Sequence, residues 1–501
     1  MEKIQVLQLG ERDWSECYTL PEEAEFCYIP RLKKAPKKLY DLVILDRCPL
    51  EAELPHLEKS TRAYTLFVTE ETKMTDKAEW FYKCKKGKRI SRGDIQDFLS
   101  HEVRNYFSRS YGEKFRPQNL TIAQGFSGSV RWDGGYQACL KGDFGAEFHQ
   151  AVLWRNNIPI WPGQCLDMWL EYQKDRAVSI ALTVFLYWWG DASGTPGYTW
   201  KFTEEEIDQG IRIDSQWHGA LFVSLSARGE GELRIIGLHD RHSRRGHGLF
   251  IPGGEKHITS AREEVFSYFD PGDMRPPLTV YFSGYKTQEG FEGYYMMRKM
   301  GCPFLLIAEA RLEGGGFYMG SEEYENLLLE VIERSRKKLG FTRYQVLLAG
   351  MSMGSFGALY YGCDIRPHAI LLGKPLASIG DVASNEKLFR PGVFPTSLDV
   401  LRYLCGSLDE KAVRKLNERF WDKFDKTDWG ESRIISAYMI EDDYDMTAYP
   451  RLIAHLHSDG AQLYGKGLHG RHNDNSAGIV EWFVNRMKQT LREDFHRKVE
   501  G

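Results

Sequence analysis

Nine cysteines are scattered through this chain with no paired or metal-like spacing, and an odd, dispersed set argues against a disulfide framework. No apolar run is long enough to span a bilayer. The longest, about Ala177 to Trp189, falls short of the roughly 20 residues required and reads as a buried strand. Charge of one sign is not in excess: the formal net charge is −4 over 501 residues, which gives no general attraction to nucleic acid or to an anionic membrane. Met1-Glu2-Lys3-Ile4 leads straight into a strand-like segment without a signal-peptide core, so a cytoplasmic location is expected. No glycine fingerprint follows the first strand, so dinucleotide binding has no support. No obvious repeat or low-complexity segment is present.

What is there divides into three textures. Residues 1–120 carry short apolar runs at Ile4 to Leu9, Leu42 to Leu45 and Ala63 to Val68, which suggest a small Rossmann-like α/β unit. The basic segment Lys83-Cys84-Lys85-Lys86-Gly87-Lys88-Arg89 reads as a solvated turn, with acidic lipid or a partner as the alternative. Residues 121–262 alternate short β-rich runs with Gly, Asn and Asp turns, as a β-sandwich would. Eight of the thirteen tryptophans fall there: Trp132, Trp154, Trp161, Trp169, Trp188, Trp189, Trp200 and Trp217. Such rings can fill a core or stack on sugars, and both readings stay open. The segment His239 to His247 holds three histidines, but its arginines would repel a metal ion, so a polar loop is expected.

Pro271 to Pro277 is a linker candidate, and after it strands and helices alternate through residues 270–501. Leu278 to Phe282 and Phe304 to Ala308 read as strands. Ser321 can cap a helix bearing Glu322 and Glu323 in its first turn, and Gly340 can end it. Strands follow at Tyr344 to Ala349, Ala369 to Leu372, Ile434 to Ile440 and Ala461 to Tyr464, with a helical insertion before the third of these and a closing helix from about Gly478 to Leu491. The fold class is therefore α/β: a small N-terminal α/β unit, a β-sandwich, and an α/β-hydrolase-like parallel sheet.

Gly350-Met351-Ser352-Met353-Gly354 lies between a strand and a helix of that last region, as a nucleophile elbow does. In hydrolase order an acid follows a later strand and a histidine precedes the last helix. Glu441-Asp442-Asp443-Tyr444-Asp445 and Leu468-His469-Gly470-Arg471-His472-Asn473-Asp474-Asn475 stand at those places. Ser352 is the expected nucleophile and His472 the expected base, preferred to His469 because it lies nearer the closing helix. Asp442 is the first choice of acid, Glu441 the alternative and Asp443 the third. An oxyanion hole would use the N–H of Met353 and one from Ser283-Gly284-Tyr285. There Tyr285 is the expected donor, and Gly284 either allows close approach or forms a plain turn. No metal site or bound cofactor is expected, and no coenzyme A motif identifies an acyl donor.

Gly350 to Ala358, Met439 to Asp445 and Gly470 to Asp474 together resemble the second accessory Sec system protein family of Gram-positive bacteria. The resemblance implies an intracellular carbohydrate O-acetyltransferase. Such a protein acetylates N-acetylglucosamine on serine-rich-repeat glycoprotein adhesins and assists their export. It also implies other accessory Sec proteins and the accessory Sec translocase as partners, with peripheral association at the inner face of the cell membrane. The family triad carries over as Ser352, His472 and an acid. That acid is a glutamate in the family, whereas the cluster here begins at Glu441 and centres on Asp442. A carbohydrate esterase or carboxylesterase, and a non-catalytic export partner, are the rival readings.

Overall fold

The computed structural model describes residues 3–36, 38–106, 112–250, 252–456 and 460–499; Met1 and Glu2 lie outside them. The chain forms two compact units, Met1–Glu255 and Lys256–Gly501. Among the described residues no helix is long and apolar enough to cross a membrane.

The first unit opens with a five-stranded parallel sheet in the order Ala24–Ile29, Ile4–Leu9, Leu42–Leu45, Leu66–Thr69, Lys88–Ile90. Leu42–Leu45 and Leu66–Thr69 are buried along their whole length, as central parallel strands are. The basic segment makes the expected turn, at Lys85-Lys86, but that turn is not wholly solvated. It ends the helix Asp76–Cys84 and enters the edge strand Lys88–Ile90. Within it Lys85 is fully buried, with its Nζ 2.5 Å from Glu58. A buried ammonium needs such a partner, and the charge pattern alone could not reveal it.

Two antiparallel sheets follow in the same unit. One runs Tyr198–Thr203, Ser179–Trp188, Gly219–Arg228, His149–Ile160, Leu120–Ile122; the other runs Ile211–Asp214, Cys165–Lys174, Glu230–His242, Gln137–Asp143, Ser129–Asp133. Alternate residues of Ser179–Trp188 are buried, which is the period of a strand with one face on a core. The short strand Gly112–Phe115 also pairs with Glu230–His242, so this β-structure begins before residue 121. His239 and His242 belong to that strand rather than to a polar loop, and buried His239 lies 3.1 Å from the Glu171 carboxylate. The tryptophans divide. Trp154 and Trp169 are buried, Trp188, Trp200 and Trp217 pack against the core, and Trp132, Trp161 and Trp189 are exposed.

The second unit is built on one eight-stranded sheet: β1 (Glu255–Ile258), β2 (Glu264–Asp270), β3 (Leu278–Phe282), β4 (Phe304–Ala308), β5 (Val346–Met351), β6 (Ala369–Gly373), β7 (Arg433–Met439) and β8 (Gln462–Leu468). Their order is β1-β2-β4-β3-β5-β6-β7-β8, and β3 to β8 are mutually parallel. This is the α/β-hydrolase arrangement. The sheet starts ahead of residue 270, since β1 and β2 belong to it. Pro271 to Pro277 connects β2 to β3 within one sheet and is not a linker between domains.

Local sequence explains the elements around the site. Val346–Met351 is apolar on both faces because helices cover both sides of a parallel sheet. The helix Glu322–Leu339 starts where Ser321 Oγ accepts the Tyr324 N–H at 3.1 Å and stops at Gly340, whose φ of 72° suits glycine. Three helices, Ile379–Leu388, Thr396–Cys405 and Glu410–Asp425, form the insertion between β6 and β7.

The helix Met353–Ile365 packs so closely on the sheet that its glycines have no room for a side chain. A Cβ on Gly354 would stand 2.1 Å from the carbonyl oxygen of Phe282 in β3. Gly354→Ala is therefore expected to destabilise the protein by roughly 1–3 kcal/mol through overpacking. The check is a Tm lowered by several degrees in differential scanning fluorimetry.

Candidate active site

Ser352 occupies the turn between β5 and the helix Met353–Ile365 with φ 51° and ψ −121°. A non-glycine residue rarely adopts this conformation, which costs on the order of 1–3 kcal/mol and persists only where the surroundings enforce it. The enforcement is visible. The Ser352 N–H donates to the Gly373 carbonyl of β6 at 2.8 Å, and the Ser355 N–H returns to the Ser352 carbonyl at 2.9 Å. The two motif glycines have a steric reason to be there. A Cβ on Gly350 would lie 2.2 Å from the Gly354 oxygen, and Gly354 faces Phe282 as described.

Ser352 Oγ lies 2.8 Å from Nε2 of His472, and Nδ1 of His472 lies 2.8 Å from Oδ2 of Asp442. The fold brings these three residues, expected from the sequence, into one hydrogen-bonded series. His472 and Asp442 are both buried. Burial pushes the Asp442 carboxyl upward, but the His472 hydrogen bond and charge, with the N–H groups of Tyr444 and Asp445, outweigh it and hold it below the usual range.

The remaining acids of the turn hold backbone. Glu441 accepts from the Gly470 N–H at 2.6 Å and meets Nδ1 of exposed His469 at 2.9 Å, so neither residue reaches Ser352. Asp443 accepts the His472 backbone N–H at 3.0 Å. Asp445 accepts the N–H groups of Ala377 and Ser378 at 2.8 and 2.7 Å.

A cavity of about 460 Å³ opens over Ser352. Met353, Gly284 and Tyr285, the expected oxyanion-hole residues, all line it. A Cβ on Gly284 would come within 3.1 Å of Glu292 Oε2 and 3.3 Å of the Met351 carbonyl, so the chain passes close to the elbow. Its N–H donates to Oε2 of Glu292 at 2.5 Å.

A family model described as Accessory Sec system GspB-transporter matches residues 4–497. The chain belongs to this family. It is 36% identical over 507 residues to an accessory Sec system protein of Streptococcus gordonii, with 99% of each chain covered. It is 37% identical over 454 residues to one from Staphylococcus aureus, covering 89% of this chain and 87% of the relative. Among solved structures, a chain of the Glycosylation Associate Protein (Gap123) complex from Streptococcus agalactiae superposes with a TM-score of 0.87 at 34% identity, covering 99% of this chain and 100% of that one. The resemblance read from the three motifs is thereby borne out.

Within this accessory Sec family member, several cavity residues escaped the sequence reading. The Tyr444 ring stacks on the His472 imidazole, 4.3 Å between centroids and 6° from parallel. Lys374, directly after β6, reaches Ser476 Oγ at 2.8 Å, and burial lowers its pKa against the pull of Asp442 and Asp474. Its place at a strand's C-terminal end was the one available signal. Val393, Phe394 and Pro395 enter the cavity from the helical insertion, and Glu292 from the loop after β3. Nothing in the local sequence marks them.

Asp442 titrates below its unfolded value, so its contribution to stability is complete above about pH 3.9 and is lost as pH falls through that value toward the folded one. Acidification from about pH 7 to about pH 3 is expected to lower the Tm of the parent more steeply than that of Asp442→Asn. Calorimetry across that range checks this, and parallel curves would contradict it.

Proposed function

We propose that this protein is a serine acyltransferase that places acetyl groups on sugar hydroxyls of a glycoprotein awaiting export. The observation that carries the reading is the unbroken Ser352–His472–Asp442 hydrogen-bond series on a strained strand-to-helix turn beneath a cavity.

The chemistry follows from those groups. His472 Nε2 takes the Ser352 proton as Oγ attacks the acyl carbonyl, and Asp442 holds the tautomer and stabilises the imidazolium. The Met353 N–H at the start of its helix and the N–H of Tyr285 receive the charge on the carbonyl oxygen. Collapse of the tetrahedral intermediate leaves acetyl on Ser352 and hands the proton to the departing group. A sugar hydroxyl, deprotonated by His472, then takes the acetyl and restores the serine.

Two observations support an export setting. The family is described by its transport role, and a similar chain was solved within a complex of glycosylation-associated proteins. Other accessory Sec proteins are the proposed partners, and N-acetylglucosamine on serine-rich-repeat adhesins is the proposed acceptor. Glu441 is left a structural part, because its carboxylate is committed to Gly470 and His469.

Fluorophosphonate labelling of the purified protein is expected to be abolished by Ser352→Ala. Incubation with an activated acetyl ester and a glucosamine-bearing glycopeptide should give acetylated sugar. Acetate release without acetylated sugar would indicate an esterase, and absence of labelling in the parent protein would indicate a non-catalytic export partner. In cells, Ser352→Ala should remove acetyl from the exported glycoprotein while leaving its export largely intact.

A further inference from the structure

The turn after β3 is held by more than its own backbone. The peptide unit joining Ser283 to Gly284 is bound at both ends. Its carbonyl oxygen accepts from the Tyr318 hydroxyl at 2.6 Å, and its N–H donates to Oε2 of Glu292 at 2.5 Å. The Glu292 backbone N–H also donates to Ser283 Oγ at 3.1 Å, so Glu292 grips this turn twice. Tyr318 is buried, whereas Glu292 is solvent-accessible and stands in the cavity wall with Ser352.

A peptide plane fixed at both edges cannot rotate, and the next peptide then follows from the φ and ψ of Gly284 alone. That next peptide carries the Tyr285 N–H. Glycine at 284 would otherwise leave the direction of that N–H loosely defined, because glycine has the widest backbone freedom. Oxyanion stabilisation depends on donors already aimed before the charge appears.

We propose that Glu292 is a positioning residue of the acyl-transfer site, its carboxylate clamping the Gly284 N–H so that the Ser283–Tyr285 turn is fixed beside Ser352. The inference rests on the serine acyl-transfer reading above. The clamp also commits the Gly284 N–H, so this group serves the turn and not the acyl oxygen.

The test uses the full chain, p-nitrophenyl acetate as acyl donor, and the rate of fluorophosphonate labelling at Ser352. Glu292→Ala is expected to lower kcat by roughly 100-fold with KM changed by less than about threefold, as a misaimed oxyanion donor should. Glu292→Gln keeps an oxygen that accepts the Gly284 N–H and is expected to recover kcat to within about fivefold of the parent, where removal of a charge-assisted bond costs little geometry. Should Glu292→Ala fail to fold, Glu292→Asp takes its place, since it draws the carboxylate back by one methylene and is expected to lose kcat likewise. A folded Ala or Asp variant with parental kcat, or a Gln variant as slow as Ala, would overturn the proposal. An unlabelled parent protein is a failure of the acyl-transfer reading itself; a labelled, active parent with indifferent Glu292 variants is a failure of this inference alone.

Discussion

The buried contact between Asp442 and His472 is the constraint on which the rest of the site depends. A carboxylate out of water is costly unless its oxygens are satisfied. Here one oxygen meets the imidazole, and the other accepts from the N–H groups of Tyr444 and Asp445. The same arrangement decides the chemistry of the ring. With Nδ1 facing Asp442, the basic Nε2 is the nitrogen that faces Ser352. The stacked Tyr444 ring limits rotation of the imidazole about this axis, so orientation and tautomer are set together.

One short acidic run does several jobs because successive residues of a turn point different ways. Glu441 and Asp443 each accept a backbone N–H of the histidine loop, from Gly470 and from His472. Asp445 ties the turn to Ala377 and Ser378 beyond β6. The turn after β7 is thus anchored to the segments that follow β6 and β8, and the register of three adjacent parallel strands is carried into side-chain geometry. Hydrogen bonds from N–H groups to ionised carboxylates are stronger than neutral ones, which makes acidic residues suited to this linking.

This division of labour also marks where the sequence stopped being legible. Strand order, elbow, acid turn and histidine loop could be read because each follows from local periodicity and from the chain order of one fold. Which of three adjacent carboxylates meets the histidine could not, since that depends on backbone direction within a single turn. Asp442 is the first choice among them, with no local reason to exclude Glu441. Three further strands are not legible for a different cause. Ala24–Ile29, Glu255–Ile258 and Glu264–Asp270 are short or carry charged residues, and only pairing with a neighbour makes them strands. The burial of Lys85 and His239 is not legible locally because their partners, Glu58 and Glu171, are remote in sequence. Glu292 belongs to the same class, since its significance is a contact with Gly284 eight positions away across a loop.

The cavity lining bears on how an acyl-enzyme on Ser352 would be resolved. Phe317, Leu376, Val393, Phe394, Pro395, Ile479 and Val480 give it a largely apolar wall, interrupted by Glu292, Lys374, Asn473 and Ser476. Water needs no binding energy to reach an open ester, so the proposed transfer would have to win through the placement of an acceptor hydroxyl. A hydroxyl held in line with the acyl carbon acts at an effective concentration on the order of 10⁵ M or more, far beyond that of water itself. Apolar surface suits the C–H faces of a sugar ring, and the few polar groups can orient its hydroxyls. In the proposed reaction, selection between hydrolysis and transfer would fall to the residues that line the cavity around Ser352. The triad alone would serve either reaction.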